Sequence, residues 1–198
     1  MATNSDELKL IFLGDTHGFI NDFEKQKELI ERFSPEYVLY EQLNDLELFN
    51  ERDFELLLNS KSISDMTSFE EVENIIRLCK SKNIKLIGIG LKNFGLKGDL
   101  QKIIKGKKEP SEKEIREIES LQGKREQTQK SIIQKFLNLS KKPILVITGS
   151  WHLREKSPLR DFPEYLLIIP TDKSGDLILG PPEDGFIKFS EVSICKKN

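Results

Sequence analysis

The sequence predicts an α/β fold: a mixed, mostly parallel central sheet flanked by helices, with a C-terminal β-hairpin at the edge. Short apolar runs alternate with segments of helical periodicity, which is typical of strand–helix–strand units. The first four apolar runs also lack the polar and apolar alternation of half-exposed strands, so both faces of these strands should be covered, as in a parallel sheet. The 198 residues suit one domain, residues 1–198.

Each predicted element has its own signal. Pro35 ends the first helix, and the pairs Ser68 with Glu71 and Ser111 with Glu114 form capping boxes at later helix starts. The predicted strands are residues 8–13, 37–40, 84–89, 143–148 and 165–169, and the predicted helices are 20–33, 43–59, 68–81 and 111–139. Two strand-like runs, 177–179 and 186–189, should form the closing hairpin. A loop should follow the third strand, marked by Gly88, Gly90, Gly95 and Gly98.

Composition excludes several classes of protein. The formal net charge is −2, and acidic and basic residues are interspersed, which does not fit a nucleic-acid binder. No apolar stretch is long enough to span a membrane, and the first residues do not read as a secretory signal. The two cysteines, Cys79 and Cys195, give neither a disulfide framework nor a zinc motif. We therefore expect a cytoplasmic protein of undetermined oligomeric state that acts on a small molecule or peptide.

Polar and small residues follow three of the predicted strands. Both histidines of the chain, His17 and His152, are the fourth residue of a Gly-x-x-His sequence, and Glu41 ends the second strand. Ligands of open α/β sheets bind beyond the carboxyl ends of the strands, so these side chains should converge there. We assign His17, Glu41 and His152 to the reaction centre. The surrounding ligand-binding residues should be Gly14, Asp15, Gly149 and Trp151.

This combination of side chains supports two kinds of chemistry. Two histidines and one glutamate are a sufficient ligand set for a catalytic divalent metal with an open water position, such as Mn, Zn or Co. The same residues could activate water without a metal, if Glu41 or Asp15 holds a histidine in the required tautomer. The sequence leaves both alternatives open.

The first motif, residues 14–18, resembles the Gly-Asp-x-His-Gly opening of calcineurin-like metallophosphoesterases. That family also has an aspartate motif after the second strand, a Gly-Asn-His segment and further histidines. Here the second strand ends in Glu41-Gln42, Ser150 stands where Asn is expected, and no third histidine exists. Under this resemblance the chain would be a degenerate phosphoesterase.

A second resemblance covers residues 8–170. The chain resembles the TraB/Tiki family, within the erythromycin esterase and ChaN-like superfamily, in the order of four features. They are Gly-x-x-His (14–17), a Pro-x-x-Val-x-x-Glu strand (35–41), a helix with Arg125 and a final Gly-x-x-His-Leu (149–153). Where many members have an Asp after the third strand, this chain has residues 88–91, Gly-Ile-Gly-Leu. The resemblance implies a metal-dependent peptidase, an ester hydrolase or a haem-binding protein.

From the residues and this resemblance together, we expect a hydrolase of peptides or esters. In its metal-dependent form, the ligands would be His17, Glu41 and His152. Arg125 should hold an anionic group or an oxyanion, with Glu41 as its partner in the empty site. It lies in residues 122–131, which contain no apolar side chain and form either a solvent-exposed helix or a polar wall. The competing hypothesis is a non-catalytic module that binds haem or another small molecule.

Overall fold

A computed structural model describes residues 8–16, 22–60, 69–91, 98–104, 108–172 and 187–196. Its strands are β1 (Leu10–Asp15), β2 (Tyr37–Asn44), β3 (Glu47–Leu48), β4 (Lys85–Gly90), β5 (Ile144–Gly149), β6 (Glu164–Thr171) and β7 (Lys188–Cys195). Its α-helices are α1 (Asp22–Phe33), α2 (Glu51–Leu58), α3 (Phe69–Ser81), α4 (Gly98–Ile104) and α5 (Glu112–Leu139). Together the strands form one sheet in the order β3-β4-β2-β5-β1-β6-β7.

The predicted fold class is confirmed. Strands β4, β2, β5, β1 and β6 are parallel neighbours, and they include all five strands expected from the sequence. Strand β7 pairs antiparallel with β6 at one edge, and the short β3 pairs antiparallel with β4 at the other. Because the inner strands are parallel, their carboxyl ends lie at one edge of the sheet, where the predicted site residues fall.

Two layers of apolar side chains cover the sheet. On one face, Ile11 and Leu13 of β1 pack in a cluster with buried residues of α1, α2 and α3. On the other face, Leu10 and Phe12 pack in a cluster with buried apolar residues of α5, among them Ile133. Successive residues of a strand point to opposite faces, so each strand carries core residues on both sides. This explains the absence of polar and apolar alternation in the sequence.

Two glycines of β4 let β2 approach closely near its carboxyl end. A Cβ atom at Gly90 would lie 2.3 Å from the carbonyl oxygen of Glu41, and one at Gly88 would lie 2.7 Å from that of Leu43. The pairing register between β2 and β4 shifts between Tyr40 and Asn44 at this place. Glycine is therefore required by contact with the neighbouring backbone, and it allows β2 to continue past Glu41.

Several predicted boundaries were wrong. Strand β2 does not end at Glu41 but extends to Asn44, and residues 43–59 contain the end of β2, β3 and α2 instead of one helix. Gly88 and Gly90 lie in β4, and Gly98 begins α4, so these three do not mark a loop. The predicted C-terminal hairpin at the sheet edge is confirmed, and its described strands are β6 and β7. Residues 177–179, Ser68 and Gly95 lie outside the described residues.

The predicted long helix is confirmed as α5, which begins with the expected capping box of Ser111 and Glu114. It continues through Gly123 without interruption. Within the described part of the chain, no helix is both long and apolar enough to cross a membrane.

Candidate active site

The candidate site lies at the end of β5 and beside Glu41 of β2, on the face of the sheet covered by α5. Strand β5 lies between β2 and β1, and Tyr40 pairs with Ile147, so Glu41 comes next to Thr148. A 3₁₀ turn at Ser150–Leu153 follows β5 directly and carries His152 back towards Glu41. The parallel pairing of the two strands therefore brings together residues that are more than a hundred positions apart.

Glu41 is the centre of the contacts at this edge. Its Oε2 atom accepts hydrogen bonds from the Thr148 hydroxyl at 2.5 Å and from the Gly149 backbone N–H at 2.7 Å. Its Oε1 atom lies 2.6 Å from Nη2 of Arg125 and 3.1 Å from Nε2 of His152. Burial favours the protonated carboxyl, but His152, Arg125 and Thr148 outweigh it and hold the pKa of Glu41 well below its usual range.

His152 lies between two carboxylates. Its Nε2 atom faces Glu41, and its Nδ1 atom is 2.9 Å from Oε1 of Glu126. Burial disfavours a charged imidazole, yet the hydrogen bonds to Glu126 and Glu41 prevail and raise the pKa of His152. Carboxylates are acceptors only, so an imidazolium with a proton on each nitrogen satisfies both contacts at once.

Glu126 is a member of the site that sequence reasoning missed. Its side chain is fully buried, and its Oε1 also accepts a hydrogen bond from Arg154. Its Oε2 accepts from Arg154 Nη2 at 3.1 Å and from the Ser157 hydroxyl at 3.2 Å. Burial opposes ionisation, but His152 and Arg154 lower the pKa of Glu126. The available signal was its place beside Arg125 in the stretch without apolar residues.

Trp151 lies on the outer side of this network. The guanidinium of Arg154 stacks on the indole at 3.7 Å from the ring centroid, which is a cation–π contact. The Trp151 and His152 rings meet edge to face, with centroids 5.4 Å apart. Trp151 therefore holds Arg154 in the position from which it reaches Glu126.

The stretch 122–131 forms a polar wall along one side of α5. Arg125, Glu126 and Gln129 point towards the sheet, while Lys124 and Gln127 point to solvent. The predicted ion pair of Arg125 with Glu41 is present. Three buried atoms on this face have no hydrogen-bond partner in the described part of the chain: Oε1 of Gln122, Nε of Arg125 and Oε1 of Gln129.

The remaining predicted residues are placed as follows. Gly149 contributes its backbone N–H to Glu41, and a Cβ at Gly14 would lie 3.2 Å from the side chains of Ser150 and Pro170. Asp15 points to the opposite face of the sheet, where its Oδ2 lies 3.4 Å from Nε2 of Gln26. His17 lies outside the described residues, so its convergence with His152 stays a prediction.

Two of the three predicted metal ligands, Glu41 and His152, lie among the described residues. Both nitrogens of His152 face carboxylate oxygens, and both oxygens of Glu41 are in contact with protein donors. These contacts suit a protonated histidine, and the role of His17, Glu41 and His152 as metal ligands stays a prediction.

Comparison with known proteins gives no relative: no family model, no curated protein and no solved structure matches the chain. The similarity to the TraB/Tiki family therefore stays a resemblance of motifs.

Proposed function

We propose that this protein is a hydrolase of peptide or ester substrates, and that Glu41, Arg125 and His152 form its reaction centre. The observation that carries the proposal is the position of the His152 imidazole between two buried carboxylates, beside an arginine, at the carboxyl ends of parallel strands. Groups whose protonation is tuned by burial and specific partners in such a position favour an active site.

His152 is the group that exchanges a proton in the proposed reaction. Glu126 is fixed by Arg154 and Ser157, so it keeps the proton on Nδ1 and orients the ring. The proton on Nε2 is then the one that is lost, and the reaction requires the attacking water to come between Nε2 and Glu41. Neutral His152 takes a proton from that water as it adds to the carbonyl carbon, and the resulting imidazolium returns it to the leaving nitrogen or oxygen. Glu41, with its lowered pKa, stays ionised and stabilises the imidazolium.

Arg125 is the member of the centre best placed to meet a substrate. Its side chain is 20% exposed, compared with 8% for Glu41 and 9% for His152. One nitrogen, Nη2, is paired with Glu41, while part of the side chain stays open to solvent. A guanidinium at this position stabilises the oxyanion that forms when water adds to a carbonyl group.

The haem-binding alternative makes a different prediction: the purified protein would then show a Soret absorption band, with a histidine as the axial ligand.

The proposed chemistry runs through His152 and Arg125 rather than through a metal bound by Glu41 and His152. Both forms require Nε2 of His152 to lose its proton, and in the metal-dependent form a metal would take the place of that proton. Zinc, manganese or cobalt that copurifies with the protein and is lost in a His152→Gln variant would favour that form instead.

The test is a screen of peptide and ester substrates with the full chain and matched variants. We expect His152→Gln to lower turnover by about 100- to 10,000-fold, the range for a general acid–base residue. Arg125→Lys keeps the charge but loses the planar fork, so turnover should fall about 100-fold with folding stability little changed. Arg116→Lys, an exposed arginine of the same helix, is the control and should keep full activity. Turnover that is indifferent to His152→Gln and Arg125→Lys would refute the proposal.

A further inference from the structure

A second polar cluster lies on the opposite face of the sheet, beside the carboxyl end of β1. It consists of Asp15 at the end of β1, Asp22 in the first turn of α1 and Glu71 in the first turn of α3. One carboxylate oxygen from each residue lies within 4.8 Å of the others. Asp15 and Asp22 are buried, and Glu71 is partly buried. None of these residues belongs to the network of Glu41 and His152.

The first question is whether the helix ends alone explain the cluster. Carboxylates in the first turn of a helix interact favourably with its N-terminal N–H groups, which suits Asp22 and Glu71. Asp15 is the last residue of β1 and comes from a different element. The Thr16 hydroxyl donates to Asp22 at 3.2 Å. Helix ends therefore account for the positions of Asp22 and Glu71, and the end of β1 brings Asp15 to them.

Gln26 supplies a separate observation that points to a ligand. Its side chain is fully buried on α1, and Nε2 lies 3.4 Å from Oδ2 of Asp15 and 3.2 Å from Oε1 of Glu71. Its Oε1 has no hydrogen-bond partner among the described residues. A half-turn of the amide presents Oε1 to the carboxylates and leaves Nε2 in its place, so either orientation leaves one amide atom unpaired. The orientation of the Gln26 amide therefore depends on whether a ligand is bound by the three carboxylates.

Tyr40 gives a second sign of the same kind. Its hydroxyl is fully buried and has no partner in the described part of the chain, although a buried hydroxyl is normally hydrogen-bonded. Tyr40 packs on the face of the sheet covered by α1 and α3, the helices that carry Asp22 and Glu71. Burial raises the pKa of Tyr40, and the charges of Asp15, Glu71 and Asp22 raise it further. Its oxygen can accept a hydrogen bond from a water that a cation holds there.

From these contacts we infer that Asp15, Asp22 and Glu71 form a binding site for a hard divalent cation, with Oε1 of Gln26 as a fourth ligand. Carboxylate and amide oxygens are the ligands of Ca²⁺, Mg²⁺ and Mn²⁺. Two oxygens on opposite sides of one Ca²⁺ are about 4.8 Å apart, because each lies about 2.4 Å from the ion. The spacing of the three oxygens stays within that limit. Mg²⁺ or Mn²⁺ requires a small contraction of the cluster.

Calorimetric titration of the full chain with Ca²⁺, Mg²⁺ and Mn²⁺ tests the site. We expect one cation per chain for at least one of the three ions, and at least tenfold weaker binding by Glu71→Gln. Glu70→Gln removes the same charge from the same turn of α3, but Glu70 is exposed, so this control should bind like the unchanged protein. His152→Gln should also leave cation binding unchanged, which separates this site from the proposed reaction centre.

A Gln26→Glu variant keeps the inference testable if Glu71→Gln fails to fold. It adds a fourth carboxylate of nearly the same shape, so without a cation it should unfold at a lower temperature than the unchanged protein. Added cation should then raise its unfolding temperature by more than that of the unchanged protein, since ligand binding to the folded state stabilises it. The absence of saturable binding for all three ions, equal binding by Glu70→Gln and Glu71→Gln, or a Gln26→Glu variant that no cation rescues would overturn the inference.

Discussion

The buried carboxylate of Glu126 offers the sharpest test of the network around His152. Both of its oxygens accept hydrogen bonds from Arg154, one accepts from Ser157 and the other faces His152. In a Glu126→Gln variant one oxygen becomes an NH₂ group. Whichever oxygen is replaced, that group faces a guanidinium donor. Arg154 then loses its buried counter-charge, and His152 loses one of its two.

The expected cost follows from the burial of the partners. Removing one member of a buried ion pair costs about 3–5 kcal/mol, because the other charge is left uncompensated. The Arg154 side chain is 29% exposed and can turn towards solvent, so the lower end of that range applies. We expect Glu126→Gln to lower the free energy of unfolding by about 3 kcal/mol. For a chain of this length, that is a fall of roughly 6–12 °C in unfolding temperature.

Urea unfolding followed by the fluorescence of Trp151, the single tryptophan, measures this difference. Glu119→Gln removes a charge from an exposed position of the same helix and should change stability by no more than about 0.5 kcal/mol. A loss in Glu126→Gln below about 1 kcal/mol would refute the reasoning, since the carboxylate would then not be a charged partner of His152 and Arg154.

Two further predictions concern pH and backbone packing. The raised pKa of His152 means that its stabilising effect is complete below its unfolded value of about 6.5 and is lost as pH rises through the folded value. Unfolding free energies of the unchanged protein and of His152→Gln should therefore converge with rising pH, and a constant difference from pH 6 to 9 would contradict this. Gly90→Ala brings a Cβ against the Glu41 carbonyl and should cost about 3 kcal/mol. Gly123→Ala, with nothing within 4 Å, should add about 0.5–1 kcal/mol in urea unfolding, and equal effects of the two alanines would refute the packing argument.

The parallel sheet could be predicted because its signal is local. Each inner strand is apolar on both faces, and that pattern stands in the sequence whatever the strand pairs with. The end of β2 could not be predicted in this way. Residues 41–44 continue as a strand only because Gly88 and Gly90, far along the chain, leave room for their backbone. A contact with distant residues overrode the local pattern, and the predicted helix over 43–59 was wrong for that reason.

The same division holds for the candidate site. The pairing of Arg125 with Glu41 was inferred from the place of Arg125 in a stretch without apolar side chains, together with the matching arginine of the family that the motifs resemble. Glu126 was missed because residues 122–131 contain no apolar side chain that marks the inward face of the helix directly. In the structure, Glu126, Gln129, Ile133 and Phe136 form the buried stripe of α5. Counting back from Phe136 and Ile133 in steps of three or four residues reaches Gln129 and then Glu126. This helical spacing was the signal in the sequence that Glu126 faces inward.

The most direct test of the proposed reaction centre is the titration of His152 by NMR. The chain has two histidines, so the signal that is missing from a His152→Gln spectrum belongs to His152. If its imidazole is held between Glu41 and Glu126, its pKa is above the ordinary value of about 6.5 and falls back towards that value in Glu126→Gln. A pKa at or below 6.5 in the unchanged protein would contradict the account, because the imidazole would then not be stabilised as a cation by these two carboxylates.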